Sequence, residues 1–151
     1  MPQREFSTTV DIDAPCSRAW QVLVGFDDYR AWCPTHREIN GHPRVGEALR
    51  IRLAREPGSD ATVAVAATVR DVEPERELAY GGGVPHAPWL LDVHHAFRLE
   101  RLDDGRCRLR NFERFRGALM LILGPWIASR VGSGYAAFND AFRRRCESPP
   151  E

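Results

Sequence analysis

The chain has 151 residues, of which 43% are hydrophobic and 28% charged, and its 21 basic residues are balanced by 21 acidic ones. That length is enough for one sizeable core. The even charge supplies neither the basic footprint of a nucleic-acid binder nor a long-range pull toward anionic membrane.

Phe6, Thr8, Val10 and Ile12 alternate with polar residues and predict a first strand. Pro15 suits the first turn of a helix, where a missing N–H costs nothing. Ala19, Trp20, Leu23 and Val24 give that helix one apolar face, and Gly25 stops it. Asp27 to Trp32 reads as a second short helix, with Asp27 near its N-cap and Pro34 ending it. Arg37 to Gly41 follows as a short strand. Gly46 opens a clearer one, in which Leu49, Ile51 and Leu53 share a face.

Glu56 to Asp60 is a turn cluster. Ala61 to Val72 is the next strand, with Val63, Val65, Ala67 and Val69 on one side, and Pro74 closes it. Glu77 to Tyr80 is a short strand. The run Gly81-Gly82-Gly83, with Pro85 and Pro88 behind it, predicts a mobile loop. No helix follows these glycines directly, so a flexible gate fits better than a phosphate cradle. Leu91 to Leu102 carries Val93, His95, Phe97 and Leu99 on one face. Asp103-Asp104-Gly105 signals a hairpin. The partner strand, Arg106 to Gly117, sets Cys107, Leu109, Asn111, Glu113 and Phe115 against a row of arginines. The last element is a long amphipathic helix from Leu119 to Cys146, with Ile127, Val131, Tyr135, Phe138 and Phe142 on one face. A curved antiparallel sheet wrapped on that helix is the simplest arrangement, and it leaves room for a cavity between the two.

The apolar run from Ala118 to Ala128 is broken by Gly124-Pro125 and falls short of the roughly 20 residues that span a bilayer. Its start, Leu119 to Trp126, is apolar on all sides, and the Gly-Pro step is expected to break or kink it. The segment reads as a wall of the cavity mouth that moves to admit ligand. A subunit interface, or a patch that touches a membrane, is the competing reading. The four cysteines, Cys16, Cys33, Cys107 and Cys146, form no C-x-x-C pair, and the charged start Met1-Pro2-Gln3-Arg4-Glu5 has no apolar h-region. Together they predict a cytoplasmic protein with reduced thiols. Ser148 to Glu151 reads as a frayed end.

The ordered set of Ile12-x-Ala14-Pro15 with Trp20, Tyr29-x-x-Trp32-x-Pro34, Gly46, Val72-x-Pro74-x-x-x-Leu78, His95-x-Phe97, Asp104-Gly105 and Glu113-x-Phe115-x-Gly117 resembles the SRPBCC superfamily (START, Bet v 1-like, polyketide cyclase/dehydrase) from about Phe6 to Glu147. The resemblance implies an α+β helix-grip fold: a curved seven-stranded antiparallel sheet around the C-terminal helix, with two short helices after the first strand, in one domain spanning residues 1–151. It also implies a hydrophobic cavity for a lipid, polyketide or aromatic metabolite. No catalytic residue carries over by position, because the superfamily has no universal catalytic motif.

His95, Asn111 and Glu113 fall on the inward parity of two paired strands. Left unpaired there, each would cost about 1–3 kcal/mol. They satisfy one another, orient a ligand, or move a proton as His95 and Glu113 acting as general acid and base; all three roles stay open. A single bulge would turn Glu113 outward. Tyr80, Trp89 and Tyr135 are placed at the cavity mouth. Phe97, Phe115, Trp126, Val131 and Phe138 complete the expected ligand wall, while Trp20 and Trp32 belong to core packing. Cys33-x-x-His36 has ligand-like spacing, yet neither it nor His42, His86, His94 or His95 completes a zinc pattern, so no metal and no cofactor are expected. The arginine row is a solvated face or a homodimer surface. Three functions remain: a binder of apolar small molecules, a cyclase or dehydratase using the same cavity, and a non-catalytic interaction module working through Ala118 to Ala128.

Overall fold

The computed structural model describes residues 2–150. Met1 and Glu151, the outermost residues of the charged start and the expected frayed end, lie outside the described residues. In chain order the elements are β1 (Gln3–Ile12), α1 (Cys16–Val24), a 3-10 turn (Phe26–Asp28), α2 (Tyr29–Trp32), β2 (His36–Asn40), β3 (Ala48–Ala54), β4 (Thr62–Glu73), β5 (Glu77–Gly83), β6 (Asp92–Asp103), β7 (Arg106–Arg116) and α3 (Met120–Glu147). The strands form one antiparallel seven-stranded sheet in the order β1-β7-β6-β5-β4-β3-β2. This is the helix-grip architecture.

The period-two pattern decides which face is buried. Ile12, Ile51, Leu78, Phe97 and Leu109 point into the concave side, where they meet Phe138, Phe142 and Cys146 of α3. A separate, smaller cluster of Phe115, Met120 and Ile127 holds the start of α3. Between the two clusters the concave face carries small and polar side chains, which is where space remains. Register shifts interrupt the ladder at His36/Glu38, Val69/Asp71 and Arg101/Asp103. The middle one lets both Val69 and Val72 face the core although they are three residues apart. No shift falls near Glu113, so it keeps its inward parity.

On the convex face, the arginines of β7 bond mostly to the edge strand. Arg108 meets Asp11, and both Arg110 and Arg114 reach Glu5. Phe112 sits among them, sheltered by the guanidinium groups of Arg98 and Arg110 at 5.3 and 4.6 Å from its ring centre.

Three expectations need correction. Gly81-Gly82-Gly83 is strand, not loop: all three pair with His94, Val93 and Asp92 of β6. The approach there is so close that a Cβ on Gly81 would collide with the Val93 carbonyl and the Arg70 side chain. Next, α3 runs unbroken through Pro125. Leu121, whose carbonyl loses its helical donor at that proline, is 75% exposed, so water can take the donor's place. Finally, the thiols are not all reduced: Cys16 and Cys107 form a disulfide. Cys107 pairs with Ile12 at the end of β1, which is where the chain turns into α1, and this tertiary contact brings two distant cysteines together. Cys33 and Cys146 are free and buried.

The C-terminus of α3 is tied down by α1. Arg18 donates to the carbonyls of Arg145 and Cys146 at 3.1 and 3.4 Å, and Glu147 accepts the Asp13 N–H at 2.8 Å. A cation at that end also suits the helix dipole. No helix among the described residues is long and apolar enough to cross a membrane.

Candidate functional site

Sheet register builds the site in two adjacent rows. One row runs Phe6, Glu113, His95, Tyr80, Val69 across five strands; the next runs Thr8, Asn111, Phe97, Leu78. From above, α3 lowers Tyr135, Phe138, Asn139 and Phe142 onto these rows, at the three- and four-residue steps of one helical face.

The polar members form a chain. His95 Nε2 lies 2.7 Å from Asn111 Oδ1, Asn111 Nδ2 donates to Asn139 Oδ1 at 3.2 Å, and Asn139 Nδ2 donates to Thr8 Oγ1 at 3.4 Å. Because an amide oxygen can only accept, His95 Nε2 carries the hydrogen. The other ring nitrogen, Nδ1, faces Glu113 Oε1 at 3.9 Å. That gap is too long for a direct hydrogen bond. With Nε2 committed to Asn111, Nδ1 is the ring atom left to exchange a proton with Glu113 or to meet a ligand hydroxyl.

His36 packs against this chain from β2, its ring centre 5.8 Å from His95 and 5.5 Å from Phe138. Burial, with the nearby His95 adding to it, lowers its pKa to about 3, so it is neutral at physiological pH. Its Nδ1 meets Thr35 Oγ1 at 3.0 Å. Within the Cys33-x-x-His36 step, Cys33 Sγ accepts the His36 backbone N–H, and burial pushes its thiol pKa up. Among the described residues no group of three or more His, Cys, Asp or Glu is placed to hold a metal.

Two phenols complete the site. The hydroxyls of Tyr80 and Tyr135 are buried; that of Tyr80 has no hydrogen-bond partner in the protein, and that of Tyr135 has only the Glu113 carboxylate within reach. Burial, then the Glu113 carboxylate, raises the pKa of both, so both stay protonated.

These groups line two adjoining cavities. The main one, of about 430 Å³, is mostly apolar and lies over β3 to β7, bounded by Ile51, Val65, Ala67, Gly81, Gly82, Gly83 and Val93 together with Tyr80, His95, Glu113 and Phe115. The second, about 150 Å³, lies under α3 and is lined by Thr35, Asn111, Arg130, Val131, Gly134, Tyr135 and Phe138. His36, Leu53, His95 and Glu113 border both. A groove of about 710 Å³ elsewhere is walled largely by charged side chains such as Glu73, Glu75, Arg76, Arg101 and Asp104, and it holds none of this chemistry.

Of the residues singled out from sequence, Tyr80, His95, Asn111, Glu113, Phe115, Val131, Tyr135 and Phe138 reach a cavity wall. Phe97 is buried behind His95, stacked at 4.3 Å between ring centres, and lines neither cavity. Trp89 and Trp126 lie outside both, 58% and 56% exposed. Trp126 faces outward although its neighbour Ile127 is buried, and Leu121 and Ile122 likewise face outward. Trp32 packs on Phe138 and Phe142, as a core residue should. Sequence reasoning passed over Thr8, His36 as a wall residue, and Asn139. Two of these had a signal: Thr8 shares the strand face of Phe6 and Val10, and Asn139 follows Tyr135 by one helical turn.

Solved structures with this fold place the chain in context. An aromatase/cyclase from a Streptomyces species, Zhui, superposes with a TM-score of 0.75 at 20% identity, covering 97% of this chain and 94% of that one. A START superfamily protein from Mycobacterium smegmatis gives 0.71 at 16% identity, with 95% and 97% covered. Truncated norcoclaurine synthase from Thalictrum flavum gives 0.69 at 12%, with 99% and 96% covered. At such identities the likeness is one of fold. Among curated proteins none matches the chain. The family model described as polyketide cyclase/dehydrase and lipid transport matches residues 3–147, nearly the whole of the fold just described, and the chain belongs to that family.

Proposed function

We propose that the chain binds an apolar small molecule carrying hydroxyl or carbonyl groups in the cavity between sheet and α3. One observation carries this reading: two buried tyrosine hydroxyls line the adjoining, mostly apolar cavities, Tyr80 with no protein partner and Tyr135 with only the Glu113 carboxylate beside it. Burying such a group unsatisfied costs about 1–3 kcal/mol, so a ligand oxygen that meets them recovers that cost. The apolar remainder of the ligand gains about 25 cal/mol for each Å² it removes from water. The side-chain-free glycines of β5 and the small residues of β4 give one flat wall, which favours a planar ring system.

A planar probe with both functions, 1,8-dihydroxyanthraquinone, tests the reading. Tyr80→Phe and Tyr135→Phe are each expected to weaken its binding about five-fold, the worth of one hydrogen bond near 1 kcal/mol. No binding by the wild type, or full binding by both variants, overturns it.

The His95–Glu113 pair supports a second reading, proton transfer to or from a bound ketone or alcohol in a cyclase- or dehydratase-type step. Glu113 would take or return the proton through His95 Nδ1, while the Asn111–Asn139 chain fixes the ring. Turnover that disappears in His95→Ala and Glu113→Gln while probe affinity persists would distinguish an enzyme from a carrier.

A further inference from the structure

The second interior cavity does not end under α3. Thr35, Leu53, Arg130 and Gly134 line it and also line a third cavity of about 370 Å³, which lies outside between α3 and the β3–β4 turn. Gly134 leaves this passage clear, since a Cβ there would meet nothing within 4 Å. The outer cleft adds Arg55, Ser133 and a single acid, Glu56. Arg98, Arg108, Arg110 and Arg114 are all engaged with carboxylates, whereas among the described residues neither Arg55 nor Arg130 makes an ion pair. Arg130 instead has its guanidinium carbon 4.9 Å from the centre of the Trp126 ring, a contact to the ring face that leaves its N–H groups for an acceptor.

We infer that this outer cleft is an oxyanion site for the far end of the cavity ligand. The inference rests on the cavity-binding reading and names the ligand class: an amphiphilic organic acid whose carboxylate or phosphate emerges past Gly134 toward Arg130 and Arg55. Its orientation follows from charge. The inner end of the path is held by the Glu113 carboxylate in a water-poor setting, which repels a second anion, while the outer end offers two cations against one acid. The planar guanidinium fork suits either oxyanion.

A matched pair of fluorescent probes tests this: 1-anilinonaphthalene-8-sulfonate, and N-phenyl-1-naphthylamine, which has the same rings without the sulfonate. The wild type is expected to bind the sulfonate more tightly. Arg55→Gln, which touches only the outer cleft, weakens the sulfonate about three- to five-fold and leaves the neutral probe unchanged, the scale of a surface ion pair of about 1 kcal/mol. Arg130→Gln weakens the sulfonate more than the neutral probe. Equal binding of both probes, or a sulfonate indifferent to both substitutions, overturns the oxyanion site while leaving the cavity reading intact. If neither probe binds the wild type, the cavity reading itself falls. Displacement of the sulfonate by decanoate, decyl phosphate and decanol identifies the natural group. The preferred acid loses its advantage over decanol in Arg130→Gln, and decanol competing as well as both acids overturns the site.

Discussion

At the residue scale, His36 is an imidazole deprived of water beside a second imidazole, and its low pKa has a direct consequence for stability. The unfolded chain protonates this ring near the ordinary value of 6.5, whereas the native state does so only near 3. Between those values the unfolded state binds more protons, so acid favours unfolding and stability rises with pH across that window. A full one-proton difference is worth up to about 1.4 kcal/mol per pH unit. Urea midpoints measured from pH 6.5 down to 4 should fall more steeply for the wild type than for His36→Phe, which keeps a ring and removes the titration. Parallel slopes would show that His36 does not titrate as described. The same residue marks a limit of reading from sequence. His95, Asn111 and Glu113 were legible from strand parity alone, but His36 lies on a five-residue strand interrupted by a register shift, too short and irregular to show a face.

At the element scale, two glycines show how one substitution takes opposite signs. Gly132 sits in the interior of α3 with open space where a Cβ would go. Gly132→Ala should stabilise by about 1 kcal/mol, the helix-propensity difference, and raise the melting temperature by about 2–4 °C. In β5 an alanine at Gly81 would meet the Val93 carbonyl and displace the Arg70 guanidinium, which is paired with Asp92. Gly81→Ala should destabilise by about 1–3 kcal/mol, the usual scale of overpacking. Calorimetry on both variants checks the contrast, and a shared sign would refute it. The glycine run looked like a loop because glycine weakens isolated strands. Between two long neighbours it is the residue that permits their approach. The break expected at Pro125 is absent for a related reason: it stands early in α3, where the carbonyl it leaves without a donor belongs to an exposed residue.

For the molecule as a whole, the Cys16–Cys107 disulfide joins α1 to β7 across a sequence separation of 91 residues. Closing a loop of that length constrains the unfolded chain by about 4.6 kcal/mol in the chain-entropy account. Cys16→Ser/Cys107→Ser, or the wild type in dithiothreitol, should therefore unfold at clearly lower urea, while both forms still bind the neutral naphthyl probe. An unchanged midpoint would show that the bridge adds no stability. The bridge and the Arg18 contacts anchor the end of α3 that packs in the main core, whereas the start of the helix rests on a smaller cluster in which Met120, Leu123, Ile127 and Val131 meet Phe6, Leu91, Val93 and Phe115. The cavities lie between these two attachments, where packing is least complete.

By itself the sequence determined the order of most elements, the inward parity of His95, Asn111 and Glu113, and a curved antiparallel sheet on one long helix, because alternation, turn residues and helical spacing are local and periodic; the helix-grip class followed from the resemblance of its ordered motifs. The tertiary structure alone decided the disulfide, the strand character of Gly81 to Gly83, the wall position of His36 and the passage from the interior cavity to Arg55 and Arg130. Each of these depends on which strands become neighbours and in what register, a long-range pairing to which no short segment is bound in advance.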